Sequence, residues 1–132
     1  MIETLQLKRT PFHERTSRLS VAQNWRRWAG YMVVGSYDLS LDHEYWAIRD
    51  RAALIDVTPL MKYMIEGPDA ARLLHKVTPR DVLNMKVGVV SYTGWCDEEG
   101  KLLDDGTVAR LGPQLFRMTS AEPSLRWPLD NA

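Results

Sequence analysis

Two adjacent carboxylates, Asp104 and Asp105, stand out as the residues of this chain best placed to do chemistry. They lie in the stretch from Tyr92 to Arg110, which reads as two strands joined by an acidic turn closing on Gly100. Successive side chains on a strand point to opposite faces, so one carboxylate of the pair faces solvent and the other faces an interior or a cleft. Leu102, Leu103 and Val108 flank the doublet, and a carboxylate among such neighbours is costly to bury unless something pairs with it. Two readings of the doublet stand side by side. One is a solvated bend at a strand irregularity, helped by Gly106. The other is a functional carboxylate held in a sheltered place.

Other reactive residue types are sparse. Cys96 is the single cysteine, which excludes an internal disulfide, and no histidine near it in sequence would activate the thiol. It is expected to be a small buried hydrophobe. His13, His43 and His75 are scattered and expected on the surface or at caps. No cluster has zinc-ligand spacing, so no metal site is expected. Arg9, Arg15 and Arg18 read as a solvated basic lead-in, and Trp25, Trp28 and Tyr31 as a packing cluster.

Lys plus Arg and Asp plus Glu both number 17, and this balance gives no sign of a nucleic-acid or anionic-membrane partner. No apolar run reaches spanning length and the N-terminus lacks a signal-peptide core, so the chain is read as cytoplasmic with no membrane partner. At 132 residues one domain with a real core is expected, hardly two.

The elements that must position the doublet follow from the periodicities. Residues 1–20 read as an extended lead-in with room for a short helix, and 21–37 as an irregular aromatic loop around Gly30 and Gly35. A helix is expected from Ser40 or Asp42 to about Ala53, with Tyr45, Ile48 and Ala52 on one face. Leu60 to Glu66 is a strand; Gly67-Pro68-Asp69 stops it and opens a second helix whose stripe is Leu73, Leu74 and Val77. Strands are expected at Val87 to Cys96, Lys101 to Leu111 and Leu115 to Ser120. Short connections make these three an antiparallel meander, and the helices precede it, so the class is α+β with two main helices. The tail from Ala121 is too apolar for a free terminus and reads as interrupted.

Several motifs fall in the order and spacing of one family. These are Thr10-Pro11-Phe12, Trp28-Ala29-Gly30-Tyr31, Glu44 to Arg51, Ala53 to Thr58, Gly67 to Ala70, Thr78 to Val82, and the Tyr92 to Arg110 hairpin. Together they resemble the N-terminal part of the aminomethyltransferase family, typified by the T-protein of the glycine cleavage system. The resemblance covers about residues 8–120. It implies the N-terminal folate-binding region of a longer protein, so that residues 1–132 form a single partial domain. It implies a tetrahydrofolate-dependent one-carbon transferase, with folate and a small one-carbon donor as partners and no turnover by this region alone. The alternative is a non-catalytic folate-binding or interaction module that needs a partner chain carrying further domains. Self-association, or association with those domains, is expected.

By the same resemblance Asp105, the second of the pair, is the catalytic aspartate that contacts folate, and Tyr92 and Leu60 line the cofactor site. A carboxylate there would orient the pterin and favour its N5 as nucleophile, because charge counts for more where water is excluded. The sequence departs from the T-protein pattern at Asp56-Val57-Thr58-Pro59-Leu60-Met61, where the family has Asp-Val-Ser-His-Met-Gly. It departs again at Gly100-Lys101 and at Gly106. These departures favour a divergent branch, such as a demethylase acting on an N-, O- or S-methyl donor.

Overall fold

The computed structural model describes residues 7–132, which pack as two compact units meeting in sequence between Pro59 and Leu60. The first unit holds β1 (Lys8–Arg9), α1 (His13–Leu19), β2 (Asn24–Trp28), β3 (Tyr31–Ser36) and α2 (Asp42–Asp50). Its sheet has the order β1-β3-β2, with β1 parallel and β2 antiparallel to β3.

The expected aromatic loop is therefore a hairpin. Ala29 and Gly30 both take positive φ, +44° and +82°, the pattern of a tight two-residue turn whose twist matches that of paired strands. Trp28 and Tyr31 close the turn as cross-strand neighbours. Alanine rarely adopts this backbone, which is why the turn does not announce itself in the sequence. His13 also departs from expectation: it is buried, with its ring 5.1 Å from that of Trp25.

Helix α2 starts at Asp42, within the expected range, but neither Ser40 nor Asp42 is its cap. The N-cap is Leu41, which makes no side-chain cap bond, and Ser40 Oγ accepts the Asp42 N–H at 3.3 Å just ahead of the helix. It ends at Asp50 rather than Ala53, and none of its residues is buried. Tyr45 and Ile48 lie on an open face, Ile48 58% exposed, so the stripe read from their spacing is not a core stripe. The following segment has no regular structure, and Leu54 is 97% exposed.

The second unit contains β4 (Met61–Glu66), α3 (Ala70–Val77), β5 (Val90–Cys96), β6 (Leu102–Gly112), β7 (Leu115–Ser120) and α4 (Arg126–Asp130). Its four strands are all antiparallel in the order β4-β7-β6-β5, which makes β5-β6-β7 the expected meander. The architecture is α+β. Side chains alternate along each strand, so one face carries Trp95, Val108, Phe116 and Met118 inward. Leu74, Val77 and Ala70 of α3 close over them, with Val82 and Met85 from the next loop. The apolar spacing of α3 is thus a true core stripe, and its last turn is sealed by Thr78 Oγ1 donating to the Leu74 carbonyl at 2.8 Å. Arg110 crosses the far end of the sheet, donating to the Met85 and Pro113 carbonyls and lying 5.2 Å over the Phe116 ring.

The tail forms the short helix α4, which buries Pro128 and sets Trp127 against the core. Leu125 and Leu129 stay exposed.

Gly106 is fixed by the approach of β7. A Cβ at this position would stand 1.8 Å from the Thr119 carbonyl oxygen, a backbone atom that cannot swing aside. At Gly94 the nearest obstacle is a methyl of the exposed Leu102 side chain at 2.8 Å, which can. Gly106→Ala is expected to lower stability by about 3 kcal/mol and Gly94→Ala by about 1 kcal/mol or less, measured by denaturant melts. Equal costs at the two positions would contradict the packing described.

Candidate functional site

The site is assembled on β5 and β6, and the turn between them sets their register. Asp97 Oδ1 accepts the N–H groups of Glu99 and Lys101 at 2.9 and 2.8 Å, and Gly100 supplies the positive φ of +81°. Pairing then runs from Val90↔Ala109 to Trp95↔Asp104 and slips by one residue, so that Cys96 faces Leu102. The slip is a bulge that leaves Leu103 unpaired immediately before the doublet.

Both readings of the doublet contain part of the answer, because the two carboxylates do different things. Asp104 pairs with Trp95 and shares the core face. Its Oδ1 accepts the Asp105 N–H at 2.8 Å, and its Oδ2 accepts the Ser124 hydroxyl at 2.8 Å and the Glu122 N–H at 3.4 Å. Asp105 points to the opposite, open face, where it lies across from Gly94 and beside Tyr92. The Tyr92 hydroxyl donates to Asp105 Oδ2. Asp105 Oδ1 accepts no hydrogen bond from the described residues.

Tyr92 is 62% exposed, so its ring is not a core packing residue. Its hydrogen bond to Asp105 holds the phenol above its ordinary value of 10.0, with some desolvation and the nearby negative charge acting the same way. From the other side, Arg80 Nε donates to the Tyr92 carbonyl at 3.0 Å and covers the free edge of β5 with a cation. Sequence reasoning missed both Arg80 and the structural work of Asp104. Neither motif spacing nor periodicity signals a bond from a loop to a strand edge.

Leu60, the third expected site residue, is half-buried and precedes β4 at the same end of the sheet as Asp105. It does not join the Tyr92–Asp105 pair. Two strand spacings, about 10 Å, separate β4 from β6. Cys96 is a free thiol, half-buried at the end of β5. Among the described residues no group of His, Cys, Asp and Glu could hold a metal ion.

A cavity of about 390 Å³ lies within the first unit, lined in part by Trp28, Met32, Tyr37, Glu44 and Ile48. Burial, then the charges of Asp56 and Glu44, push the Tyr37 phenol up.

Fold and meander together define an α+β domain whose antiparallel sheet is covered by helix on one face. The crystal structure of glycine cleavage system aminomethyltransferase T from Bartonella henselae superposes with a TM-score of 0.84 at 24% identity, covering 96% of this chain and 36% of that one. The chain belongs to the GCVT N-terminal domain family, whose sequence model it matches over residues 12–128. Among curated relatives, a trimethylamine-oxide aldolase of Ruegeria pomeroyi is 34% identical over 87% of this chain. The gamma subunit of a heme-dependent oxidative N-demethylase of Ectopseudomonas mendocina is 36% identical over 77%. The chain spans 14% and 27% of the lengths of these two relatives.

Because Asp105 is bound only through Tyr92 and its own backbone, Asp105→Asn should leave stability within about 0.5 kcal/mol in denaturant melts. A loss of about 1–3 kcal/mol would mark a structural acceptor instead. The same substitution should bring the Tyr92 midpoint down toward 10, read from its ring carbon by NMR, since a neutral amide no longer opposes the phenolate. The sign follows from the raised value. What the Tyr92–Asp105 bond contributes to folding is fully present below the unfolded tyrosine value near 10 and is lost as pH rises through the higher folded one.

Proposed function

We propose that this chain is the N-terminal folate-binding region of a tetrahydrofolate-dependent one-carbon transferase of the demethylase branch, acting on a small methylated donor in the cytoplasm. The observation that carries the reading is the Tyr92–Asp105 pair on the open face of the meander, at the position where the family motif has its folate-contacting aspartate.

The residues present suit a reduced pterin. That ring system carries amine and ring N–H donors along one edge, and Asp105 offers a carboxylate acceptor whose Oδ1 takes no hydrogen bond from the described residues. Gly94, opposite Asp105, carries no side chain of its own, with a methyl of the exposed Leu102 side chain lying over it, and the exposed Tyr92 ring supplies an apolar wall beside the carboxylate. Asp105 would accept from the ring and orient it, and Tyr92 would hold the carboxylate in place while packing on the ligand. Leu60 would line the site from the same end of the sheet. Tetrahydrofolate, when bound, supplies the nucleophilic nitrogen that takes up the one-carbon unit. Asp105 would act by position and as a hydrogen-bond acceptor.

Tetrahydrofolate titrated into the chain should quench tryptophan fluorescence with a dissociation constant that rises roughly tenfold or more for Asp105→Asn, as expected when a charged partner is removed. Identical binding by the two proteins would overturn the site assignment. The isolated chain is expected to form no methyl- or methylene-tetrahydrofolate from N-methyl donors, and clear turnover would overturn the fragment part of the reading.

A second reading, a binding module completed by a partner chain, is favoured by one observation: the N-demethylase relative is named as a subunit. The open apolar residues of α2 and of the tail, among them Tyr45, Ile48, Leu125 and Leu129, are surfaces that exclude water only in an assembly. Sedimentation at micromolar concentration should show a dimer or larger species. A monomer across the accessible range would argue against self-association.

A further inference from the structure

We propose that Asp104 is a positioning residue, which fixes the peptide bearing the Asp105 side chain by tying it to residues 122–124. The proposal rests on the reading of Asp105 and Tyr92 as the ligand-facing pair. It adds that the chain's own tail holds that pair in shape.

The geometry supplies the reason. The β6–β7 ladder begins at Gly106↔Ser120, so Asp105 lies one residue beyond the last main-chain support from β7. On the other side the bulge at Leu103 interrupts the β5–β6 ladder just before the doublet. Asp105 is thus paired on the β5 side alone, two residues from a bulge. The Asp104 carboxylate adds a tie on the side that β7 does not reach: Oδ1 takes the Asp105 N–H, and Oδ2 takes the Ser124 hydroxyl and the Glu122 N–H. Only a carboxylate at this position accepts three donors in two directions, because an amide in its place would turn a donor toward the Glu122 N–H.

The tail end of the tie is itself anchored by neighbouring strands. Ser120 Oγ donates to the Glu122 carbonyl at 2.6 Å, and the Ser124 N–H donates to the Tyr63 hydroxyl at 3.0 Å. Beyond them Trp127 packs on the core and Pro128 is buried. Strands β4, β7 and β6 therefore meet residues 120–124 through Tyr63, Ser120 and Asp104, and the chain of bonds ends at Asp105.

The test separates positioning from plain structural support. Ser124→Ala removes the shorter bond to Asp104 Oδ2 and leaves Asp104 and Asp105 intact; Ser124→Thr restores the hydroxyl; Asp104→Ala removes the whole tie. Three readouts are taken on the full chain: denaturant stability, the Tyr92 ring-carbon titration, and the dissociation constant for tetrahydrofolate. Arg80 is the charged neighbour of Tyr92 besides Asp105, and none of the variants touches it.

If Asp104 positions Asp105, Ser124→Ala moves the Tyr92 midpoint down toward its ordinary value and weakens tetrahydrofolate binding roughly fivefold or more in protein that remains folded, and Ser124→Thr reverses both. A Ser124→Ala protein that melts earlier, with Tyr92 titration and binding unchanged, overturns the proposal by reducing the tie to tail support. Should Asp104→Ala fail to fold, the Ser124 pair still decides. Should the parent chain not bind tetrahydrofolate, the folate reading fails on its own, and the Tyr92 titration still judges the positioning.

Discussion

Everything at the candidate site depends on the two-residue alternation of β6. Neighbouring side chains on a strand cannot share a face, so an Asp-Asp doublet in one divides its carboxylates between two environments. Here the division is also one of labour. Asp104, on the core face, spends its acceptors on the backbone and on the segment that closes the domain. Asp105, on the open face, holds only the Tyr92 hydroxyl. A buried carboxylate without partners would be costly, and an exposed one without neighbours would be an ordinary surface charge. The fold avoids the first and, through Tyr92, the second.

Two glycines make this arrangement geometrically possible, for different reasons. At Gly106 the strands β6 and β7 approach so closely that no side chain fits against the Thr119 carbonyl. The ladder therefore closes one residue after Asp105, which fixes where the carboxylate emerges. At Gly94 the missing side chain makes room at the cross-strand position facing Asp105 for the exposed Leu102 side chain, whose methyl would stand 2.8 Å from a Cβ there. The same residue type admits a backbone at one point and a movable side chain at the other.

How much of this was legible in the sequence varied with how local the cause was. Strand β7 has the bounds its alternation predicts, and α3 buries Leu74 and Val77 of its expected stripe, with Ala70 buried where Leu73 is only partly covered. Strand β5 starts at Val90 rather than Val87, since positive φ at Gly88 turns the chain first. The hairpin of β2 and β3 was hidden by the alanine in its turn. Helix α2 shows the limit of periodicity: the spacing of Tyr45 and Ile48 is helical, but spacing says nothing about what covers the face. That two neighbouring strand carboxylates would face opposite ways was readable from alternation alone. That Asp104 would be taken up by Ser124, twenty residues on, was not, because the partner is brought by the folding of the tail.

One-sided burial then limits where function can reside in the second unit. Its sheet is packed against α3 on the face of Trp95, Val108, Phe116 and Met118. The other face carries Tyr92, Asp105, Thr107, Arg117 and Lys62, a mixed surface of the kind an antiparallel sheet turns outward. On that face Asp105 stands beside a phenol, with an arginine capping the neighbouring strand edge. The proposed ligand uses the sheet there. Its affinity will reflect how rigidly the doublet is held from behind, because a carboxylate free to swing at a frayed strand end would surrender on binding the order that this fold supplies in advance.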